Sequence, residues 1–82
     1  MNKEAIVEVL IRNIREVLPG LEEYSFQVGD TLSDLGADSV DRAEIISLML
    51  EELSLRIPRV ELAGVSNLGE LVEVLHGKLQ SA

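Results

Sequence analysis

The chain has 82 residues, 15 acidic against 7 basic, for a formal charge of −8, with 46% hydrophobic residues, no cysteine and one histidine. Without cysteine there is no disulfide framework, thiolate metal site or cysteine nucleophile, and the lone imidazole of His76 cannot build a zinc cluster. An acidic balance of this size is repelled by phosphate backbones and anionic lipid, which argues against nucleic-acid and membrane-surface roles and points to basic partners.

Met1-Asn2-Lys3-Glu4 lacks the basic-then-apolar build of a secretory signal, and no apolar run is long enough to span a membrane. A cytoplasmic globular domain over residues 1–82 is expected, near the size at which a core only just suffices. From Lys3 to Leu18, at about 100° per residue, Ile6, Val9, Leu10, Ile14 and Val17 share one side of a helix. Pro19-Gly20 ends it. The connection from Pro19 to Asp38 holds too many hydrophobic residues (Leu21, Tyr24, Phe26, Val28, Leu32, Leu35) for a solvated loop. They are expected to tuck over the bundle, with Tyr24 and Phe26 as anchors and Asp30 to Leu35 closing one short helical turn. From Ser39 to Leu53, the residues Ile45, Ile46, Met49 and Leu53 share a face, with Met49 as core filler. Ile57-Pro58 sets an extended residue before a proline that can open a short helix through Val60 and Leu62, closed by Gly64. Leu68, Leu71, Val72, Leu75 and Leu79 stripe a last helix, capped by Ser66 or Asn67, and Asn67 followed by Glu70 is built like a capping box. The expected fold is all-α: a small bundle of three longer helices and one short helix, with a long first loop.

The chemistry concentrates in Leu35-Gly36-Ala37-Asp38-Ser39-Val40-Asp41. Gly36 permits a turn that other residues resist, and Asp38 is a good N-cap. Ser39 then opens the helix, with its hydroxyl in solvent beside unpaired backbone N–H groups and the positive end of the helix dipole. Such a place can hold a phosphodiester but does nothing to activate a nucleophile. Taken alone, Asp38-Ser39 is an ordinary helix start. A Ser-His-Asp site is weaker still, because His76 lies far along the chain and no Gly-x-Ser-x-Gly elbow surrounds Ser39. His76 reads as a surface residue near a favourable dipole end. Asp30, Asp34 and Asp38 hint at calcium, but Leu32 and Leu35 stand where such a loop needs an oxygen ligand and glycine, so no metal site is expected.

The longer run from Asp30 to Ile45 closely resembles the prosthetic-group attachment region of acyl carrier proteins. The resemblance extends over the whole chain: helix, long loop, Leu-Gly-x-Asp-Ser, acidic second helix, Ile57-Pro58, short segment and last apolar helix. It implies that Ser39 receives 4′-phosphopantetheine from coenzyme A through a phosphopantetheinyl transferase, and that the chain is a carrier and not an enzyme. A thiol installed in this way would serve a chain that encodes none. Ser39 to Ile45 and Leu55 to Leu62 further resemble the discrete donor carriers of polyketide β-branching cassettes. Housekeeping fatty-acid carriers commonly have a smaller, uncharged residue where this chain has Arg42, and are more acidic where it has Arg59 and Val60. The narrower resemblance implies a monomeric carrier of acetyl, whose partners are an enzyme similar to hydroxymethylglutaryl-CoA (HMG-CoA) synthase and an acyl-loading or decarboxylating ketosynthase-like enzyme. Two alternatives stand beside it: a carrier for fatty-acid or ordinary polyketide elongation, and an unmodified acidic helical adaptor.

On the second helix, Val40, Glu44, Ser47 and Glu51 face away from the expected core, with Asp38 and Asp41 close to Val40. They read either as a solvated charged face or as a docking patch in which acids steer basic enzymes and Val40 supplies an apolar anchor. Family resemblance favours docking. Residues 30–52 hold seven acidic residues and one basic, six of the eight excess negative charges, so the charge gathers around Ser39. The one basic residue, Arg42, falls on the core side of the first turn and must snorkel to the rim. There it either pairs with Asp38, four residues earlier, or lies at a pocket entrance, touching the phosphodiester or selecting the synthase.

Overall fold

Asn2 starts the first helix, α1 (Lys3–Val17): its side-chain oxygen accepts the Ala5 N–H at 2.8 Å, and Glu4 sits in the first turn, where the dipole favours an acid. Leu18 closes it by donating its N–H to the Ile14 carbonyl at 2.8 Å, and Gly20 turns the chain at φ 93°. This computed structural model describes residues 1–81. Two further helices follow, α2 (Ser39–Glu52) and α3 (Leu68–Ser81), with a 3-10 turn at Arg59–Leu62 opened by Pro58. The expected elements are all present, with no strand among the described residues.

Ile6, Leu10 and Ile14 on α1 are at most 1% exposed, and α1 packs against both α2 and α3. Ile45, Met49 and Leu50 meet it from α2, with Leu53 at the α2 C-cap; Leu68, Leu71, Val72 and Leu75 meet it from α3. Asn13 is buried in this seam, its amide 3.4 Å from the Met49 sulfur. Leu50 widens the buried face of α2 beyond the stripe expected from its periodicity. The chain doubles back beneath it, where Leu55 donates its N–H to the Leu50 carbonyl at 2.9 Å. Direct contact between α2 and α3 is slight, and a cavity fills the gap.

That doubling back is a Schellman closure with Ser54 in the left-handed region at φ 55°, and Ser54 also donates its N–H to the Glu51 carbonyl at 3.2 Å. A side chain is disfavoured there. Ser54→Gly is therefore expected to raise stability by about 0.5–1 kcal/mol, read as a higher urea midpoint at unchanged slope.

The long loop is held by one arginine and by the start of α3. Arg15 donates from Nε to the Leu21 carbonyl at 3.1 Å and from Nη2 to the Tyr24 carbonyl at 3.2 Å, and its guanidinium lies 5.3 Å from the Phe26 ring centre. Tyr24 meets Phe26 edge-on and donates its hydroxyl to Asp30 Oδ2 at 2.9 Å. Leu21, Phe26, Leu32 and Leu35 pack against the core as expected, whereas Tyr24 lies outside that cluster, 37% exposed. Val28 departs outright from that expectation, at 79% exposed. Its carbonyl, not its side chain, is turned inward, accepting the Gly69 N–H at 2.9 Å while the Asp30 carbonyl accepts the Leu68 N–H at 2.9 Å. These are first-turn amides of α3 that would otherwise lack acceptors. A Cβ on Gly69 would stand 3.2 Å from Val28, so glycine is what admits the approach.

Asn67 caps α3, accepting the Glu70 N–H at 2.8 Å, but Glu70 answers to Ser66 instead of Asn67, accepting its N–H at 2.8 Å and its hydroxyl at 2.7 Å. The backbone bond from Ser66, then its hydroxyl, pulls the Glu70 carboxyl below the ordinary 4.5. Glu73 is likewise lowered by its ion pair with Lys3. A carboxyl lowered by folding stabilises the fold above its ordinary range, and that contribution is lost as pH falls through the folded value. Urea midpoints should therefore fall on acidification below about pH 4.5, and Glu70→Gln should show a shallower fall over the same window.

Candidate functional site

The turn before α2 fixes where Ser39 stands. Leu35 donates its N–H to the Thr31 and Leu32 carbonyls at 3.2 Å, Gly36 to Ser33 at 3.0 Å and Ala37 to Leu32 at 3.0 Å. One helical turn is thus closed, and Gly36 reverses the chain at φ 103°. Ala37 is buried and anchors the start of the helix to the core. Asp38 then accepts the Asp41 N–H at 2.8 Å, and Asp41 returns an acceptor to the Asp38 N–H at 3.3 Å. This is a capping box.

Ser39 is the first residue of α2 and is exposed. Its hydroxyl makes no hydrogen bond among the described residues, nor do the N–H groups of Ser39 and Val40 find an acceptor there. His76 is on α3 with its Nε2 3.2 Å from Gln80 Nε2, so no serine–histidine pair forms. Among the described residues no cluster of His, Cys, Asp and Glu could hold a metal. The site offers an accessible hydroxyl, free amides and a dipole end, which fit a phosphodiester ester-linked to Ser39.

Beside Ser39 lies a cavity of about 390 Å³ between the loop, α2, the 3-10 turn and α3. Ile46, Leu62 and Leu71 contribute apolar lining, and Ser39, Arg42 and Arg59 the polar edge. Arg42 is exposed and lines this cavity, as expected of a residue that snorkels. The alternative pairing with Asp38 is absent, because both Asp38 and Asp41 are committed to capping and the salt bridges among the described residues lie elsewhere.

Val40 is 72% exposed, and Asp38, Glu44, Ser47 and Glu51 are exposed with it, while Asp41 is half-buried in the capping box. The outward face of α2 is therefore continuous. Ser47 is not wholly free: its Oγ accepts from Arg59 Nη1 at 3.4 Å. Arg59 and the 75% exposed Val60 extend the face onto the 3-10 turn. Sequence reasoning used these two residues to narrow the family and did not place them at the site. A cation and an apolar residue together just after Ile57-Pro58 were the available signal.

A family model for the phosphopantetheine attachment site matches residues 8–75. The chain belongs to this family. It is an acyl carrier protein whose prosthetic group is covalent 4′-phosphopantetheine, and it is a carrier, not a catalyst. This carrier is 63% identical over 82 residues, the full length of both chains, to the polyketide biosynthesis acyl-carrier-protein AcpK of Bacillus subtilis (strain 168). It is 34% identical over 73 residues to an acyl carrier protein of Wolinella succinogenes, covering 89% of this chain and 86% of that one. Among solved structures it is similar to a chain in the crystal structure of the curacin biosynthetic pathway HMG synthase in complex with acetyl donor-ACP. The TM-score is 0.89 at 45% identity, over 94% of this chain and 99% of that chain. The Bacillus relative and the curacin-pathway chain agree with a resemblance to polyketide carriers, whereas the Wolinella relative speaks only for the acyl carrier family. No helix among the described residues is long and apolar enough to cross a membrane.

Proposed function

We propose that this carrier bears 4′-phosphopantetheine on Ser39 and delivers acetyl to an HMG-CoA synthase-like enzyme in polyketide β-branching. The observation that carries the reading is the close likeness to a chain of an HMG synthase complex with acetyl donor-ACP. The attached arm supplies a thiol on which the acyl group rides. The residues of this chain provide the rest: Gly36 and Ala37 fix the turn, the Asp38–Asp41 box starts α2, and Ser39 is left open to a phosphopantetheinyl transferase. A cytoplasmic, diffusing monomer formed by the whole chain as one domain suits this role. The loading partner is an acyl-loading or decarboxylating ketosynthase-like enzyme.

Delivery is tested by loading Ser39 with acetyl-pantetheine and offering it to a synthase homologue with a β-ketoacyl acceptor carrier. Loss of acetyl from this carrier at a rate well above that of an elongation carrier is the expected result. Refusal by the synthase with acceptance by an elongation ketosynthase would assign the general carrier role instead. Asp38, Val40, Asp41, Arg42, Glu44, Ser47 and Glu51 form the docking face in this reading, with Val40 as the apolar anchor. Val40→Asp is expected to raise the carrier KM about tenfold, equivalent to about 1.4 kcal/mol, with kcat little changed. Added salt should raise the wild-type KM too, because exposed acids steer the encounter.

A further inference from the structure

Four of the seven basic residues have structural partners: Lys3 pairs with Glu73, Arg12 with Glu52 and Lys78 with Glu61, while Arg15 holds the loop carbonyls. Arg42, Arg56 and Arg59 have no carboxylate partner among the described residues, and two of these three line the cavity beside Ser39. They come from different elements, Arg42 from the first turn of α2 and Arg59 from the 3-10 turn. Two arginines without a carboxylate partner line one cavity in a chain of charge −8, a local exception to the field around them. Without them, Asp38, Asp41 and Glu44 would repel any anion brought to this cavity.

The two cations stand at different places along α2. Arg42 is three residues from Ser39, on the neighbouring turn, so a phosphodiester on the hydroxyl is within its reach. The Arg59 head rests on Ser47 Oγ, eight residues along the helix from Ser39, or about 12 Å of rise. That is too far for the phosphodiester. The 3.4 Å contact with a neutral hydroxyl is long for a hydrogen bond and holds the guanidinium only weakly. Polar groups of Thr31, Ser66 and Asn67 line the same cavity.

We infer that Arg59 is the carboxylate-binding residue of this cavity and that it takes the free carboxylate of a dicarboxylic acyl group, such as malonyl, carried on the arm. Arg42 answers the phosphodiester at the base of the arm, and Arg59 answers the second anion at its tip. An acetyl group has no such anion and finds no partner at Arg59. The carrier thereby distinguishes a carboxylated cargo from its uncharged counterpart by one charge-assisted, planar contact. This inference rests on attachment of the arm at Ser39.

The test uses holo protein loaded with malonyl carrying 13C at the free carboxylate, titrated by NMR beside free malonyl-pantetheine. With Arg59 as ligand, the carboxylate titrates at lower pH than the free thioester, and Arg59→Gln returns it to or above the free value. Added salt should shrink the difference, and the 31P resonance of the phosphodiester should be unmoved by Arg59→Gln. A carboxylate on this carrier that titrates at or above the free value overturns the inference, as does a lowered value that Arg59→Gln leaves in place. A 31P shift in Arg59→Gln with no change at 13C would assign Arg59 to the phosphodiester and overturn the carboxylate role. Absence of the mass adduct on Ser39 would instead overturn the carrier reading on which it rests. Arg59 is exposed, so its replacement should preserve the fold, and an unchanged backbone amide spectrum checks this.

Discussion

Ser39→Ala is expected to abolish the whole 4′-phosphopantetheine adduct while leaving stability within about 0.5 kcal/mol of wild type. The two halves of that expectation come from the same geometry. The Ser39 hydroxyl is exposed and unbonded among the described residues, so its loss removes no fold contact, while Asp38 and Asp41 retain the cap. Intact mass after incubation with coenzyme A and a phosphopantetheinyl transferase reads the first half, and urea unfolding reads the second. An adduct that survives in Ser39→Ala would move the attachment elsewhere, and Ser33, exposed and on the same cavity, is the first place to look. No adduct on the wild type would favour the unmodified adaptor.

The position of Ser39 was legible because every step that sets it is local. Asp38 caps within three residues, Gly36 supplies a conformation few residues adopt, and both signals lie in consecutive sequence. The three long helices were legible for a similar reason, since their apolar periodicity and end signals span a single segment. What escaped was competition for partners. Asp38 stands four residues before Arg42, the right spacing for an ion pair, yet its carboxylate is already committed to the Asp41 amide. Glu70 was expected to answer Asn67, but Ser66 offers two donors in its place.

Contacts between distant segments were hidden more thoroughly. Nothing near Val28 in sequence reveals that its carbonyl is claimed by Gly69, which turns an expected core valine outward. Arg59 reaches the outward face of α2 only because the 3-10 turn folds alongside it. The gap between α2 and α3 likewise comes from how both lean on α1, and helical periodicity carries no record of it.

That arrangement makes α1 the element on which the core most depends, and Leu10→Ala is expected to have the largest effect on stability. Leu10 is 1% exposed and lies between Ile6 and Ile14 on the face that meets both α2 and α3. Removing its side chain forfeits the transfer energy of the lost carbons and leaves a cavity that two helices would have to close together, at a cost of about 2–5 kcal/mol. A domain of this length is stable by roughly 4–12 kcal/mol, so the change takes a large part of the total. With a urea slope of about 1 kcal/mol/M, the midpoint should fall by about 2 M or more. Pantetheinylation under native conditions should change little in the fraction that remains folded, because Ser39 is an exposed residue at the start of α2 and not part of the core that Leu10 fills. Ser39→Ala and Leu10→Ala should therefore separate cleanly, one losing the arm with the fold intact and the other losing stability with the attachment site intact. A Leu10→Ala protein that unfolds at the wild-type urea midpoint would show that α2 and α3 hold together without the α1 face, contrary to the slight contact between them.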